Sequence, residues 1–351
     1  QRVVLAGQLA SDPILLLADE PTGTLDFDTA ELVHEALRES VQGRMTMVLT
    51  SHRPHVIEAL TEKVLWLEHG KVVEYGDTKT VVEEFKKQVG GIEPEAYTKV
   101  GRPKIQVEHC KKYYSLRQKV VKAVDDVSFT IHENEIFGLV GTSGAGKTSL
   151  ARIMGQIDRL NEGSVKIRIG DTWVEVGRGP ETRARRAPEV TLKGQGELIA
   201  TQVAILHQEY SLYPENTVLE NLTSCIGLKV PAELARLKAK FMLEGIGFSE
   251  SATEEILQKT QTKLSVGERQ RVALAQVLMK EPAIAILDEP TGSMDPITKK
   301  SVADAIRAAR KNLGLTFLII SHDADFAYDV CDRIAHMQDG KITKIVDLRT
   351  A

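Results

Sequence analysis

Cysteine is scarce in this chain of 351 residues: Cys110, Cys225 and Cys331 stand far apart, with no CxxC spacing and no histidine pair beside them. That pattern excludes a disulfide framework, a zinc site of Cys/His spacing and an iron–sulfur cluster held by this chain alone, and points to reduced thiols in a cytoplasmic protein. Long apolar runs are also missing. The longest, such as Ile14 to Ala18 and Ala283 to Leu287, are of strand length, far short of the roughly 20 residues that cross a bilayer, so no direct membrane insertion is expected. No charge of one sign dominates: the net charge is -4 and the pI near 6.2, which gives no overall pull toward nucleic acid. The one dense basic cluster is Arg178, Arg183, Arg185 and Arg186. The chain opens on Gln1, with neither an initiator Met nor a secretory pattern. What is present, 42% apolar and 27% charged residues, is ordinary for an α/β protein and enough for one complete domain plus part of another.

A repeat organises the rest. QRVVLAGQLASDPILLLADEPTGTLDFDT, from Gln1, returns as QRVALAQVLMKEPAIAILDEPTGSMDPIT, from Gln270. The second copy follows a glycine-rich pattern at Gly141 to Thr148 and the segment LSVGERQR at Leu264 to Arg271, whereas nothing precedes the first copy. The expected organisation is therefore the C-terminal part of one domain over 1–85, a linker over 86–103, and a complete second domain over 104–351 with an insertion around 166–203. In the first part, ILLLAD reads as a buried strand, Thr29 to Ser40 as a helix, and VLWLEHGKVVEYG as a hairpin. KKQVGGIEPEAYTKVGRPK, rich in Gly, Pro and Lys, reads as the linker. EIFGLVG, VAILHQ, AIAILDE and TFLIISH are near-continuous apolar strands of the kind buried on both faces of a parallel sheet. RGPETRARRAPEVTLKGQGELIA is a charged loop longer than most connections in compact domains. On this reading the chain is a piece of a longer polypeptide.

GTSGAGKT follows an apolar strand and precedes the helix SLARIMGQI, the context that G-x-x-x-x-G-K-[ST] needs. Its residues, Gly141, Thr142, Ser143, Gly144, Ala145, Gly146, Lys147 and Thr148 with Ser149, would wrap the phosphates of ATP with backbone N–H groups at a helix N-terminus. Lys147 would reach the β and γ phosphates and Thr148 would hold Mg²⁺. The strand AIAILDE delivers Asp288 to the metal and Glu289 to the solvent side, where a carboxylate can orient and polarise the attacking water, making Glu289 the expected general base. His322, after TFLII, is expected at the γ-phosphate. Ser265 and Gly267, just before a helix, make a second anion-binding N-terminus.

The phosphate loop, Gln208 in LHQEY, LSVGE, LDEP, GSMD and the SH strand together resemble, in order and spacing, the ATP-binding cassette (ABC) ATPases, an α/β fold of the P-loop NTPase type, and the match covers nearly the whole chain. The resemblance implies ATP hydrolysis, ATP and Mg²⁺ as ligands, and a head-to-tail pair of cassettes in which each ATP lies between the phosphate loop of one and the signature of the other. Carried over by position, Gln208 links Mg²⁺ and the lytic water, and Thr148, Gln208 and Asp288 form the metal set. The signature Ser265, Val266, Gly267 and Glu268 acts in trans, Asp295 belongs to the inter-cassette contact, and Tyr114 stacks on adenine, with Tyr113 the competing choice. In the first cassette Asp19 (Mg²⁺), Glu20, Asp26 and His52 match the same roles. The signature departs from LSGGQ at Val266, where a β-branched residue restricts the loop, and at Glu268, where an extra carboxylate approaches the phosphate. With the first phosphate loop and signature both outside this stretch, its ATPase activity alone is expected to be very low.

Within that family, GTSGAGKTSL, RIGDTWVEV followed by an Arg-rich loop, ILHQEYSLYPENTVLENLT and EPTGSMDPITK resemble the AtwA ATPases of methanogenic archaea, the ATP-binding component of the methyl-coenzyme M reductase activation system. That resemblance implies ATP-driven reduction of the reductase's nickel tetrapyrrole, with methyl-coenzyme M reductase and its activation proteins as partners and no nucleic acid. VKAVDDVSF and LYPENTVLENL also look like the tandem ATPases of peptide importers, which remain the alternative.

Overall fold

The computed structural model describes residues 2–11, 13–21, 27–43, 45–51, 54–68, 70–89, 101–116, 119–176, 202–207, 212–226, 230–292 and 294–350. The chain divides into two compact units, the first built on Gln1–Glu93 and the second on Pro94–Gly292 with Lys299–Ala351.

In the first unit α1 (Arg2–Leu9) leads to β1 (Leu15–Asp19), which pairs in parallel with β2 (Thr46–Thr50) through the helix α2 (Phe27–Gly43). Helix α3 (Pro54–Leu60) and the antiparallel hairpin β3 (Lys63–Glu68) and β4 (Lys71–Asp77) follow, then α4 (Thr78–Val89). Leu16, Val33 and Leu37 make a small core, with Leu9, Met45, Met47 and Leu60 packed on it. The expectation of a strand buried on both faces does not hold for ILLLAD. Only Leu16 and Ala18 are buried, and Ile14 is 84% and Leu17 71% exposed, because among the described residues β1 has β2 as its one strand neighbour and a single covered face. The expected linker start at 86 is overrun as well. Helix α4 runs through it to Val89, held by buried Val81 and Val82 and by Phe85 edge-on to Trp66 at 5.3 Å.

The second unit has two sheets. β5 (Pro103–Leu116), β6 (Lys119–His132), β8 (Glu162–Ile169) and β9 (Thr172–Val176) form an antiparallel sheet in the order β6-β5-β8-β9. The expected insertion around 166–203 thus begins as a regular hairpin, β8 with β9, while 177–201 and its arginine cluster lie outside the described residues. The central sheet has the order β10-β11-β12-β7-β13-β14, from β7 (Ile136–Val140), β10 (Val203–Leu206), β11 (Ile284–Asp288), β12 (Thr316–Ser321), β13 (Arg333–Gln338) and β14 (Lys341–Asp347). All its pairings are parallel except that of β14 on β13. Every residue of β7, β11 and β12 is buried, as their apolar runs require of strands covered on both faces, with Thr316, Asp288 and Ser321 the polar residues at their ends. Phe129 and Phe137 stack at 5.1 Å, 6° apart, and join the two sheets, with α5 (Lys147–Met154) packed into the same core through Leu150, Ile153 and Met154.

A helical layer completes the unit: α6 (Val218–Thr223), α7 (Ala232–Gly245), α8 (Glu250–Leu257), α9 (Val266–Leu278), α10 (Pro296–Leu313) and α11 (Ala324–Val330). The carboxyl ends of β7, β11 and β12 lie side by side, and in an open α/β sheet such ends are where a ligand is received.

Candidate active site

The loop after β7 is shaped by close approaches that only glycine permits. A Cβ on Gly141 would stand 2.1 Å from the Met337 carbonyl oxygen, and one on Gly146, at φ 103°, would stand 1.9 Å from that of Ala123. Ala145 N–H donates to the Thr142 carbonyl at 3.2 Å, and Gly340 N–H donates to the Ala145 carbonyl at 3.1 Å, so β14's turn braces the loop from behind. Lys147, 6% exposed, folds back so that its Nζ donates to the carbonyls of Gly141 at 2.7 Å and Thr142 at 3.0 Å. Burial lowers its pKa, against the opposing charges of Glu289 and Asp288. A buried ammonium capping its own loop is held where an anion with several oxygens would compete for it.

At the end of β11, Asp288 is buried and accepts from Thr148 Oγ1 at 3.5 Å. Burial and then the neighbouring Glu289 charge push its carboxyl upward. An oxygen pair carrying that unfavoured charge suits a hard divalent cation. Mg²⁺ therefore fits Thr148 and Asp288. Gln208, the third expected ligand, lies outside the described residues.

Glu289 takes a left-handed conformation, φ 53°, rare for a residue with a side chain, and its N–H donates to the Ile320 carbonyl at 2.8 Å. This turn points the carboxylate across the sheet. There it accepts from His322 N–H at 3.0 Å and contacts His322 Nδ1 at 2.8 Å, with Ser321 Oγ 3.4 Å away. The hydrogen bond to Glu289, outweighing burial, raises the imidazole's pKa. Sequence reasoning placed both residues but missed their contact, and it missed Ser321, whose hydroxyl also accepts from Asp323 N–H at 2.9 Å. It also missed Lys299, which pairs with Asp323 while Asp323 caps α11 through Phe326 N–H. The signal for Ser321 was its place immediately before His322; Lys299 carried none.

The first unit repeats part of this geometry. Glu20 has φ 43°, its N–H donates to the Thr50 carbonyl at 3.1 Å, Ser51 Oγ lies 3.5 Å from Glu20 Oε2, and Thr50 Oγ1 donates to Asp19. The position-for-position match with Glu289, Ile320 and Ser321 is a structural repeat beneath the sequence repeat. His52 and Asp26 lie outside the described residues.

Tyr114 is half-buried, and its hydroxyl donates to Asp158 at 2.6 Å beside Ser149, with Lys112 Nζ 4.9 Å from the ring centroid. Tyr113 has Lys122 Nζ at 5.9 Å from its ring. Tyr114 is thus the one tied to the start of α5.

At the signature, Ser265 caps α9. Its Oγ accepts from Glu268 N–H at 3.2 Å, and the Glu268 carboxylate accepts from Ser265 N–H at 2.8 Å, a reciprocal capping box. Burial works against the Glu268 charge, but the hydrogen bonds from Ser265, with Lys259 and Arg271 nearby, hold its pKa below the usual range. Glu268 is therefore a cap before it is a carboxylate facing phosphate. Val266 is the first residue of the helix, 48% exposed, so its branching restricts no loop. Asp295 caps α10 by accepting from Thr298 N–H at 2.9 Å. Glu268→Ala should cost about 1 kcal/mol of stability through loss of the box, and Glu268→Gln should restore most of it. Thermal unfolding of both variants checks this; equal losses would show that charge, not capping, is what Glu268 supplies.

A glycine-shaped loop closed by a buried lysine, a buried carboxylate beside Thr148 and a second carboxylate beside a histidine, at adjacent strand ends, have the layout of a P-loop nucleotide site. Residues 124–292 match the family model described as ABC transporter, and the second unit is an ABC-type ATPase cassette. An ABC transporter ATP-binding protein of Methanocaldococcus jannaschii is 49% identical over 349 residues, which are 98% of this chain and 62% of that protein. The methionine import ATP-binding protein MetN 1 of Oceanobacillus iheyensis is 31% identical over 239 residues, 68% of this chain and 64% of that protein. The chain thus spans less than two thirds of these relatives' length. Among solved structures, a dimeric ATP-binding cassette in a post-hydrolysis state with ADP and Pi aligns with a TM-score of 0.55 over 70% of this chain and 98% of that one, at 23% identity, a likeness of fold.

Proposed function

We propose that this chain belongs to a tandem ABC ATPase whose ATP cycle drives reductive activation of the nickel enzyme methyl-coenzyme M reductase. The observation that supports the tandem part of this reading is the reach of the similarity, and the reductase part rests on the resemblance of its motifs to the AtwA family. The 49% match to the M. jannaschii protein runs through 98% of the chain and so beyond the second unit alone, whereas the importer ATPase matches over 68%. The motif run from GTSGAGKTSL to EPTGSMDPITK, with its resemblance to the AtwA family, points the same way. An importer role is the second reading, favoured by the 31% identity to MetN.

In the proposed cycle, the loop from Gly141 to Ser149 wraps the phosphates, and Lys147 exchanges its two loop carbonyls for β and γ oxygens. Thr148, Asp288 and Gln208 would hold Mg²⁺, which when bound would supply positive charge against the phosphates. Glu289 turns from the imidazole to the attacking water, and His322, freed from it, donates to the γ-phosphate. Ser265 and Gly267 close the site of the paired cassette, and Glu20 and His52 serve as the first cassette's base and switch, with Asp19 at its metal. The repeated turn at Glu20 and Glu289 supports two sites of one design. Tyr114 is the proposed adenine platform. No helix among the described residues is long and apolar enough to cross a membrane.

The arginine-rich segment beside Trp173 is the proposed reductase-facing element, since guanidiniums form bidentate pairs with an acidic surface and an aromatic anchors it. Replacing Arg183, Arg185 and Arg186 with Glu in the intact protein should abolish ATP-dependent activation and leave nucleotide affinity intact. Undiminished activation would remove the segment from the interface. Co-purification from the source cell discriminates the two readings: nickel-reductase subunits support activation, and membrane permeases overturn it.

A further inference from the structure

Helix α7 has its side chains turned the unusual way round. Its cations are engaged within its own subdomain: Arg236 and Lys240 both pair with Glu254, the former at 2.8 Å, and Lys238 pairs with Glu281 at 2.7 Å. Its small and medium apolar residues Ala235, Ala239, Met242 and Leu243 are buried. Its three largest outward residues are apolar, with Leu234 57%, Leu237 60% and Phe241 57% exposed. At 100° per residue these three fall within one narrow arc, the pattern of a helix face made for another helix. Glu233 and Glu244, both exposed, lie along the edge of the same arc about 16 Å apart, and neither forms an ion pair among the described residues.

We propose that this face docks an amphipathic helix of a partner protein, apolar toward Leu234, Leu237 and Phe241 and carrying two basic residues about three turns apart that meet Glu233 and Glu244. The charge pattern selects that occupant. A lone apolar stripe would accept any greasy surface, but two unpaired carboxylates at fixed spacing beside it reward cations and repel an acidic helix. A second copy of this chain would set Glu233 and Glu244 against their own kind in one orientation of a twofold pair, and a membrane surface would meet two anions at its anionic headgroups. The inference is independent of what the ATP cycle drives.

The test uses the purified protein and two synthetic helical peptides of about 18 residues. Both carry Leu at i, i+3 and i+7; one has Lys and its twin Glu at the two flanking positions. Fluorescence anisotropy should show the Lys peptide binding about tenfold tighter, the worth of two rim ion pairs. Leu237→Lys combined with Phe241→Lys should abolish binding, and Glu233→Lys combined with Glu244→Lys should reverse the preference. Unfolding temperatures confirm that these surface variants remain folded. Equal binding of the two peptides, binding of neither, or undiminished binding by the folded double variant at Leu237 and Phe241 would overturn the proposal. So would self-association, seen by light scattering, that Phe241→Lys removes, since the face would then belong to a second copy.

Discussion

Glu289→Gln in the intact protein should lower ATP turnover by about a thousandfold and leave ATP binding in place, so that the nucleotide is trapped. Glutamine keeps the shape of the side chain, and its amide oxygen can still accept from the His322 N–H that Glu289 holds at 3.0 Å. What it loses is the basicity that polarises water. It also loses a negative charge beside the phosphates, the same charge that helps push the Asp288 carboxyl upward. Removing that charge eases the approach of a polyanion, so affinity should hold or rise while hydrolysis fails. Rapid-filtration binding of labelled ATP beside phosphate release measures both quantities. Wild-type phosphate release from the variant would mean that Glu289 is not the base, and loss of binding would mean that the carboxylate holds the loop together rather than acting on water.

Legibility of the sequence followed how local each signal was. The central strands could be read because β7, β11 and β12 carry unbroken apolar runs, with polar Thr316, Asp288 and Ser321 only at strand ends, and no amphipathic alternative fits such runs. ILLLAD is similarly apolar, yet four of its six residues are exposed, because composition reports what a strand is suited to and not which neighbours it has. The phosphate loop, Asp288, Glu289 and His322 were legible because each sits at a strand end in a fixed order. The contacts among them were not, since the bond between Glu289 and His322 joins residues on different strands through a left-handed turn. Glu268 was misjudged for a related reason: its charge is visible in the sequence, but its bond to Ser265 depends on where α9 starts.

Gly146→Ala should abolish nucleotide binding, whereas Gly144→Ala should only weaken it. Both glycines have positive φ, 103° and 82°, so alanine strains either one. The surroundings separate them. A Cβ on Gly144 meets nothing within 4 Å, but on Gly146 it would stand 1.9 Å from the Ala123 carbonyl oxygen and 2.8 Å from Met337 Cε. The first of those neighbours is backbone in β6, tied in turn by Asp125 N–H to the Gly340 carbonyl at 2.8 Å, and it cannot yield as a side chain would. Relief must come from the loop, which moves the start of α5 and with it Lys147 and Thr148. The cost should reach about 3 kcal/mol or more at Gly146 against about 1–2 at Gly144. For a unit of this size each kcal/mol lowers the unfolding temperature by roughly 2–4 °C. Thermal unfolding with and without Mg-ATP reads both effects at once. Gly146→Ala should unfold well below wild type and gain nothing from nucleotide, and Gly144→Ala should unfold slightly early and still be stabilised. A nucleotide-dependent rise in the Gly146→Ala variant equal to wild type would show that the loop can leave the Ala123 carbonyl without losing its grip on phosphate, and that the close packing at this glycine is not what shapes the site.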